Sequence, residues 1–229
     1  MELFHVHTYR CKHASNEIDE EYVLKAIQMK ATDIYFTDHA PFPGNPFGNR
    51  MNIEQLDEYI GSIEQLKYLY KSDINVHCGL EIEYLPTFAS YYEKLHSINE
   101  LDILMIGQHF CEIAPKQYSF TIKQTPLEYA ESISVSTIEG ISTGLFSHIA
   151  HPDRMFRHCQ SWSAEMSIVS NNIISAAQEK DIILERNLSS MENGMYWSQF
   201  WEHVPDTVKT IYGTDAHCTD ELERIKNVL

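Results

Sequence analysis

The chain has 229 residues, of which 43% are hydrophobic and 22% are charged, as expected for a globular protein with one sizeable core. Its 17 basic and 33 acidic residues give a net charge of −16, which argues against nucleic acid as the main partner because that role needs a basic face. No apolar run approaches the roughly 20 residues of a membrane span, and no signal peptide is recognisable, so we expect one cytoplasmic domain over 1–229.

Strand and helix patterns alternate along the chain. In order, they predict strand 2–8, helix 19–30, strand 34–37, helix 52–70, strand 75–84, helix 88–96, strand 102–110, helix 125–138, strand 145–149, helix 164–179, strand 182–185, a short helix 193–204, strand 208–212 and helix 220–228. This alternation favours an α/β fold with a parallel sheet and crossover helices. Seven strand candidates with polar C-terminal ends favour a barrel over a doubly wound sheet, whose glycine-rich dinucleotide loop is missing.

Histidines and carboxylates recur where the predicted strands end. Side chains at positions i and i+2 of a strand point to the same face, and three such pairs occur. The pairs are His5 with His7, Glu81 with Glu83, and Asp215 with His217. Three pairs on three separate strands indicate a polynuclear metal site, although a lone histidine on an apolar strand is more often a core residue. Imidazole and carboxylate ligands without thiolate suit Zn, Mn or Fe.

The acidity of the chain bears on the chemistry of such a site. An acidic pocket repels a phosphate group unless bound cations reverse the local charge. A hydroxide held between two cations is a nucleophile at neutral pH, and the cations stabilise the charge that develops on a phosphoryl centre. The residues alone therefore point to a metal-dependent hydrolase. The five cysteines contain no C-x-x-C pair and predict free thiols, with Cys11 and Cys218 beside candidate ligands.

Together these motifs resemble those of a known family. The matching segments are His5-Val6-His7-Thr8, Thr37-Asp38-His39-Ala40-Pro41, Gly79-Leu80-Glu81, His109, His151-Pro152 and Thr214-Asp215-Ala216-His217. They resemble the PHP (polymerase and histidinol phosphatase) superfamily, and within it the chain is most similar to the histidinol-phosphatase branch. The resemblance spans nearly the whole chain.

The resemblance implies a distorted (β/α)7 TIM-like barrel that carries three divalent metal ions. The first ion would be held by His5, His7, Glu81 and Asp215. Glu81 would bridge to a second ion completed by His109 and a fifth-strand histidine, and the third would be held by His13, His39 and His217. Two candidates remain for the fifth-strand ligand, His148 and His151, and the family's His-Pro pattern favours His151. The predicted catalytic residues are Glu81, Asp215 and His217.

Several other residues receive supporting roles. Glu83 shares a face with Glu81 and is a candidate partner for a ligand histidine. Asp38 precedes a ligand and is expected to form structural hydrogen bonds. The candidates for holding a phosphate bidentately are Arg154, Arg157 and Arg186, of which Arg154 is placed best because it follows His151-Pro152-Asp153.

The resemblance implies a metal-dependent phosphomonoesterase whose substrate is L-histidinol phosphate, in histidine biosynthesis. A small-molecule phosphate monoester is thus the expected partner. Alternatives within the same chemistry are a nucleotide, a sugar phosphate or a phosphotyrosyl protein. The rival from another class is a non-catalytic PHP module, which predicts missing ligands, whereas every ligand position is filled here. The chain departs from the family by its short length and by Arg186 in the sixth strand, both of which affect the substrate pocket.

Overall fold

The computed structural model describes residues 1–228 and confirms the predicted α/β barrel. Seven strands form a closed barrel in the order β1-β2-β3-β4-β7-β8-β9. These strands are β1 (Glu2–Val6), β2 (Asp33–His39), β3 (Asn75–Ile82), β4 (Ile103–Ile106), β7 (His148–Ile149), β8 (Ile183–Asn187) and β9 (Thr210–Ala216). β5 (Glu112–Ala114) and β6 (Gln117–Tyr118) form a separate antiparallel hairpin. The sequence pattern missed this hairpin because its turn residue with positive φ, Lys116, is neither glycine nor asparagine.

Helices separate most of the barrel strands. The α-helices are α1 (Asp19–Gln28), α2 (Leu56–Leu69), α3 (Ala89–His96), α4 (Pro126–Ser142), α5 (Ala164–Glu179), α6 (Leu188–Glu192) and α7 (Ser198–Glu202). Six 3₁₀ segments accompany them: Tyr9–Cys11, Ile53–Gln55, Pro86–Phe88, Ser119–Thr121, Pro152–Phe156 and Thr219–Asn227. Within residues 1–228, no helix is both long enough and apolar enough to cross a membrane.

Two helix predictions were wrong in detail. The helix predicted over 193–204 is only the shorter α7 (Ser198–Glu202), and an unpredicted helix, α6 (Leu188–Glu192), precedes it and ends before Gly194, whose φ of +68° does not continue a helix. The predicted closing helix is a 3₁₀ segment, Thr219–Asn227, rather than an α-helix. Both segments follow strands whose ends carry predicted site residues, so the errors fall close to the site.

The chain divides into two compact units, each with its own buried side chains. The first comprises Met1–Ile82, Leu95–Leu104 and the segment that begins at Tyr212. In this unit β2 and β3 pair in register from Asp33↔Asn75 to His39↔Glu81, so these two strand ends lie side by side. The second unit comprises Glu83–Lys94 and Met105–Ile211, where α4 packs on α5.

Gly140 sets the approach of α4 to its neighbours in the second unit. A Cβ at this position would lie 2.8 Å from Ile106 Cδ1 and 2.9 Å from Tyr84 Cβ, whereas a Cβ at Gly61 in α2 would meet nothing within 4 Å. We expect Gly140→Ala to destabilise the protein by about 1–3 kcal/mol through overpacking. Gly61→Ala, the matched control, should stabilise it by about 0.5–1 kcal/mol. Urea unfolding midpoints measure both changes, and equal shifts in the two variants would contradict the close approach.

Candidate metal centre

The first unit brings together seven of the nine predicted metal ligands. They are His5, His7, His13, His39, Glu81, Asp215 and His217. The carboxylate oxygen Glu81 Oε2 lies 3.4 Å from His5 Nε2 and 3.5 Å from His7 Nε2. Asp215 Oδ1 lies 3.4 Å from His7 Nε2 and 3.7 Å from His5 Nε2. These four side chains therefore converge on one small volume, with His5 and His7 fully buried.

The spacing of these atoms fits a cation between them better than hydrogen bonds among them. Two ligand atoms about 2.1 Å from a tetrahedral metal ion lie roughly 3.4 Å apart, which is the observed spacing. His7 Nε2 is buried and has no hydrogen-bond partner among residues 1–228, and the same is true of His217 Nε2. A buried polar nitrogen without a partner is costly unless a ligand satisfies it. Neutral imidazoles and carboxylates are the donor set that Zn, Mn and Fe accept.

A second set of rings in the first unit meets at His217. Its ring stacks on that of His7 with centroids 4.4 Å apart, and the His13 ring lies 4.6 Å from it. His13 Nδ1 lies 2.8 Å from the Cys11 carbonyl oxygen, and His217 Nδ1 lies 3.1 Å from the Asp215 carbonyl oxygen. Because a carbonyl only accepts, each Nδ1 must carry the proton and each Nε2 keeps its lone pair. Both histidines are thus prepared to ligate through Nε2.

Two of these side chains, those of His5 and Asp215, are oriented by irregularities in the backbone rather than by regular strand geometry. Between Leu3 and Val6, β1 has one residue more than β2, and within the extra stretch His5 takes a φ of +67°. In β9 the register against β1 gains a residue between Gly213 and Ala216, where Asp215 takes a φ of +48°. The predicted residues do converge, but the added residues in β1 and β9 contribute to this, and regular i, i+2 alternation alone does not account for it. Positive φ values in non-glycine residues cost roughly 1–3 kcal/mol each and cluster at functional sites.

The two remaining predicted ligands lie in the second unit and face each other. The rings of His109 and His151 have centroids 5.0 Å apart. His109 Nδ1 lies 3.1 Å from Glu83 Oε1, so Glu83 contacts a predicted ligand as expected for its supporting role. His148 contacts Ser147 Oγ through Nδ1 at 2.8 Å. The proximity of the His151 ring to His109 supports His151 as the fifth-strand ligand.

The sequence reasoning gave no role to two buried residues of β8, Glu185 and Asn187. Glu185 Oε2 accepts a hydrogen bond from the backbone N–H of His151 at 2.8 Å, and His151 itself has a φ of +33°. Asn187 Oδ1 accepts from Arg154 Nη2 at 2.7 Å, and Ser190 Oγ accepts from Arg154 Nε at 2.9 Å. The missed signal was a further polar pair at i and i+2 at a strand end, the pattern that identified the other pairs.

The second predicted phosphate contact has different surroundings. The guanidinium of Arg186 lies over the Trp201 ring, 4.5 Å from its centroid, and Nη1 donates to Tyr196 Oη at 3.1 Å. Arg154, by contrast, donates from Nη2 to the side chain of Asn187 in β8 and from Nε to the hydroxyl of Ser190 in α6. Of the two arginines, Arg154 is the one tied to the strand end that also holds His151.

Burial keeps two histidines of the first unit, His7 and His217, in their neutral form. Desolvation, together with the neighbouring His39, lowers the pKa of His7 to about 3. Desolvation and the neighbouring His7 likewise lower the pKa of His217 to about 3. At neutral pH both imidazoles are therefore uncharged and offer lone pairs to a cation.

These depressed pKa values predict that the metal-free protein loses stability in mild acid. Between about pH 3 and the ordinary value of 6.5, the unfolded chain binds protons at His7 and His217 that the folded chain excludes. Unfolding is thus favoured as the pH falls below 6.5, by up to about 1.4 kcal/mol per pH unit for each histidine. Chemical unfolding of chelator-treated protein at pH 7.5, 6.5 and 5.5 measures the slope. His217→Gln should reduce it, and an unchanged slope in that variant would contradict the assignment.

Comparisons with known proteins agree with this geometry. A family model described as PHP domain matches residues 4–189. A protein of Deinococcus radiodurans named "probable histidinol-phosphatase" is 29% identical, with 95% of this chain and 86% of the relative aligned. The histidinol-phosphatase of Bacillus subtilis is 23% identical, with 93% of this chain and 92% of the relative aligned.

A solved structure shares the fold. The histidinol phosphate phosphatase of Lactococcus lactis, crystallised with zinc, L-histidinol and phosphate, superposes with a TM-score of 0.77 at 19% sequence identity. The superposition covers 99% of this chain and 91% of that chain. The predicted resemblance and the predicted barrel are both confirmed.

Proposed function

The chain belongs to the PHP domain family, and from that premise we propose that it is a metal-dependent phosphomonoesterase that hydrolyses L-histidinol phosphate to L-histidinol and phosphate. The observation that carries the proposal is the convergence of His5, His7, Glu81 and Asp215 on one buried volume at ligand spacing. The relatives named for this activity align along nearly the whole chain, which supports the substrate. We further propose that the enzyme acts in the cytoplasm on a small-molecule phosphate monoester.

The proposed ligand sets follow the resemblance and are supported by the contacts within each unit. His5, His7, Glu81 and Asp215 would hold one ion, and His13, His39 and His217 another. His109 and His151, in the second unit, would be ligands of a further ion. Zinc is the first candidate because the Lactococcus lactis enzyme was crystallised with it, while Mn and Fe suit the same donors.

Glu81 has the central position among these groups. Its Oε2 atom lies within 3.5 Å of nitrogens from His5, His7 and His39, which come from two strands adjacent in sequence. A carboxylate oxygen with three imidazole neighbours is placed to share its charge between cations, as the bridging role requires. Divalent cations bound here would supply a nucleophile from water at neutral pH and neutralise the charge that develops on the phosphoryl oxygens.

Asp215 and His217 complete the proposed catalytic set. Asp215 Oδ1 lies within 3.8 Å of nitrogens of His5, His7 and His217, so its charge is shared among three imidazoles. The positive φ of Asp215 turns its side chain out of the strand alternation and toward these rings. His217 remains neutral at the working pH and orients its lone pair through the Asp215 carbonyl.

For the substrate phosphate we propose Arg154 as the main protein contact, with Arg186 as a second. Asn187 and Ser190 hold the Arg154 guanidinium through Nη2 and Nε, which fixes its plane. A planar guanidinium held in advance binds a phosphate with little further loss of side-chain freedom. Arg186 lies along the ring of Trp201, which restricts its guanidinium in a similar way.

The substrate is tested with a panel of phosphomonoesters on the metal-loaded enzyme. We expect kcat/KM for L-histidinol phosphate to exceed that for nucleoside monophosphates, sugar phosphates and phosphotyrosyl peptide by at least about tenfold, with zinc and manganese each supplied. A preference for another member of the panel would reject the biosynthetic substrate and retain the phosphatase. Bound metal without phosphate release from any member would instead favour the non-catalytic binding module.

The central role of Glu81 is tested by Glu81→Ala. Loss of its carboxylate removes one of the two carboxylate oxygens that the His5 and His7 nitrogens share and leaves only that of Asp215, so we expect at least one equivalent of metal to be lost. kcat should fall by about 10³-fold or more, the scale seen when a group that stabilises the transition state is removed. Glu100→Ala, which removes an exposed carboxylate, is the matched control and should retain metal and activity. Metal analysis and steady-state kinetics measure both, and retained turnover in Glu81→Ala would contradict the role.

A further inference from the structure

The two ring nitrogens of His7 have different surroundings. Nε2 lies among the carboxylates, 3.5 Å from Glu81 Oε2 and 3.4 Å from Asp215 Oδ1. Nδ1 lies 3.3 Å from the sulfur of Cys11, a residue with no exposed surface. In His13 and His217 a backbone carbonyl holds Nδ1, so the tautomer follows directly from the acceptor. A thiol both donates and accepts, and the tautomer of His7 therefore depends on the direction of the bonds at Cys11.

Among residues 1–228, three polar groups lie within hydrogen-bonding distance of the Cys11 sulfur. The backbone N–H of His39 donates to it at 3.2 Å, and Asp38 Oδ1 lies 3.0 Å away. The third is His7 Nδ1. A thiol has one hydrogen, which can serve either Asp38 or His7. If Asp38 Oδ1 accepts, it receives the thiol hydrogen, and if it donates, the thiol hydrogen is left for His7.

The far end of this chain of bonds fixes Asp38 as an acceptor. Thr8 Oγ1 accepts two hydrogen bonds, from Arg10 Nη1 at 3.1 Å and from the Arg10 backbone N–H at 3.4 Å, and both of these groups only donate. The Thr8 hydroxyl hydrogen must therefore point to Asp38 Oδ2, 2.5 Å away, while the Thr8 backbone N–H donates to Asp38 Oδ1 at 2.5 Å. Arg10 is itself fixed by paired hydrogen bonds to Asp19 and to Glu58.

Every bond in this chain then has one direction. Both Asp38 oxygens accept, so the Cys11 S–H donates to Asp38 and the sulfur can only accept from His7. We propose that Cys11 is a positioning residue that fixes His7 as the Nδ1–H tautomer and so keeps the Nε2 lone pair toward Glu81 and Asp215. The inference rests on the proposed function only in assigning His7 as a metal ligand. The Cys11 thiol then accepts the hydrogen bond that a ligand histidine commonly donates to a carboxylate or a carbonyl.

The same geometry argues against the sulfur as a metal ligand. His7, Cys11 and Asp38 offer ligand atoms within 4.8 Å of one another. However, the Cys11 sulfur and Asp38 Oδ1 already receive the backbone N–H groups of His39 and Thr8. A cation among these three side chains would face the hydrogens of both groups. The cation therefore belongs on the Nε2 side of His7.

The tautomer can be observed in the unaltered protein. A long-range ¹H–¹⁵N correlation spectrum of the full chain, recorded with and without zinc, reports which nitrogen of each histidine carries the proton. We expect His7 to show a protonated Nδ1 in both samples, with Nε2 bound to zinc in the loaded one. A protonated Nε2 on His7 in either sample would overturn the proposal, whatever substrate the enzyme uses.

Variants at Cys11 test the consequence for metal binding. Cys11→Ala removes the partner of His7 Nδ1, and we expect the zinc Kd to rise about 10–100-fold, the usual effect of losing such a partner. Cys11→Ser keeps one donor and one acceptor and should restore most of the affinity. Cys78→Ala, which removes another buried thiol of the same unit, is the matched control and should leave the Kd unchanged.

Two further outcomes would also overturn the proposal. One is a Cys11→Ala protein that binds zinc as tightly as the wild type in competition with a chelator. The other is a sulfur-to-metal charge-transfer band in cobalt-loaded wild type that disappears in Cys11→Ser, because it would make the thiol a ligand. If Cys11→Ala does not fold, as judged by circular dichroism, the spectrum of the unaltered protein still decides the tautomer.

Discussion

The burial of lone pairs is the constraint on which the first unit depends, and two of them, on His7 Nε2 and His217 Nε2, have no hydrogen-bond partner among residues 1–228. His5 and His7 have no exposed surface, and Glu81 and Asp215 are nearly buried, so water cannot solvate the atoms that converge there. Desolvation and neighbouring imidazoles keep the His7 pKa near 3, so protonation of the ring does not relieve the crowding at neutral pH. A cation bound to the same atoms satisfies them all at once. Because the site exists only in the folded chain, the free energy of metal binding adds directly to the free energy of unfolding of this unit.

Much of the surrounding structure serves to hold those lone pairs in place. The positive φ values of His5 and Asp215 cost conformational energy, and both occur where β1 and β9 gain a residue relative to their neighbours. The chain of hydrogen bonds from Arg10 through Asp38 reaches the ring of His7 from outside. In the second unit, Glu185 holds the backbone of His151, another residue with positive φ. Three of the nine non-glycine residues with positive φ among residues 1–228 are thus predicted ligands, where a bound group can repay the cost of such strain.

The sequence predicted the barrel well because strand and helix periods alternate along the chain and each strand ends in polar residues. It also predicted the residues that meet in the first unit, since several histidines and carboxylates at successive strand ends together indicate a metal site. It could not predict the bulges at His5 and Asp215, because β1 and the end of β9 are buried on both faces and so show no alternation in which an extra residue could be recognised. The i, i+2 pair Glu185 and Asn187 was a signal that went unused, whereas the partner of Glu185 is a backbone N–H, which no residue pattern identifies.

The balance of charge also explains how an acidic protein could attract a phosphate. The seven predicted ligands of the first unit contain only two carboxylates, Glu81 and Asp215, and the rest are imidazoles, of which His7 and His217 are held neutral by burial. Each divalent cation bound to such a set adds a charge of +2, whereas each carboxylate contributes −1. Two or more cations therefore reverse the local sign, although the chain as a whole carries −16. A site richer in carboxylates would hold cations more tightly but would leave less positive charge for the substrate. The preference for neutral histidine over aspartate or glutamate thus suits a site that must bind both metal ions and an anion.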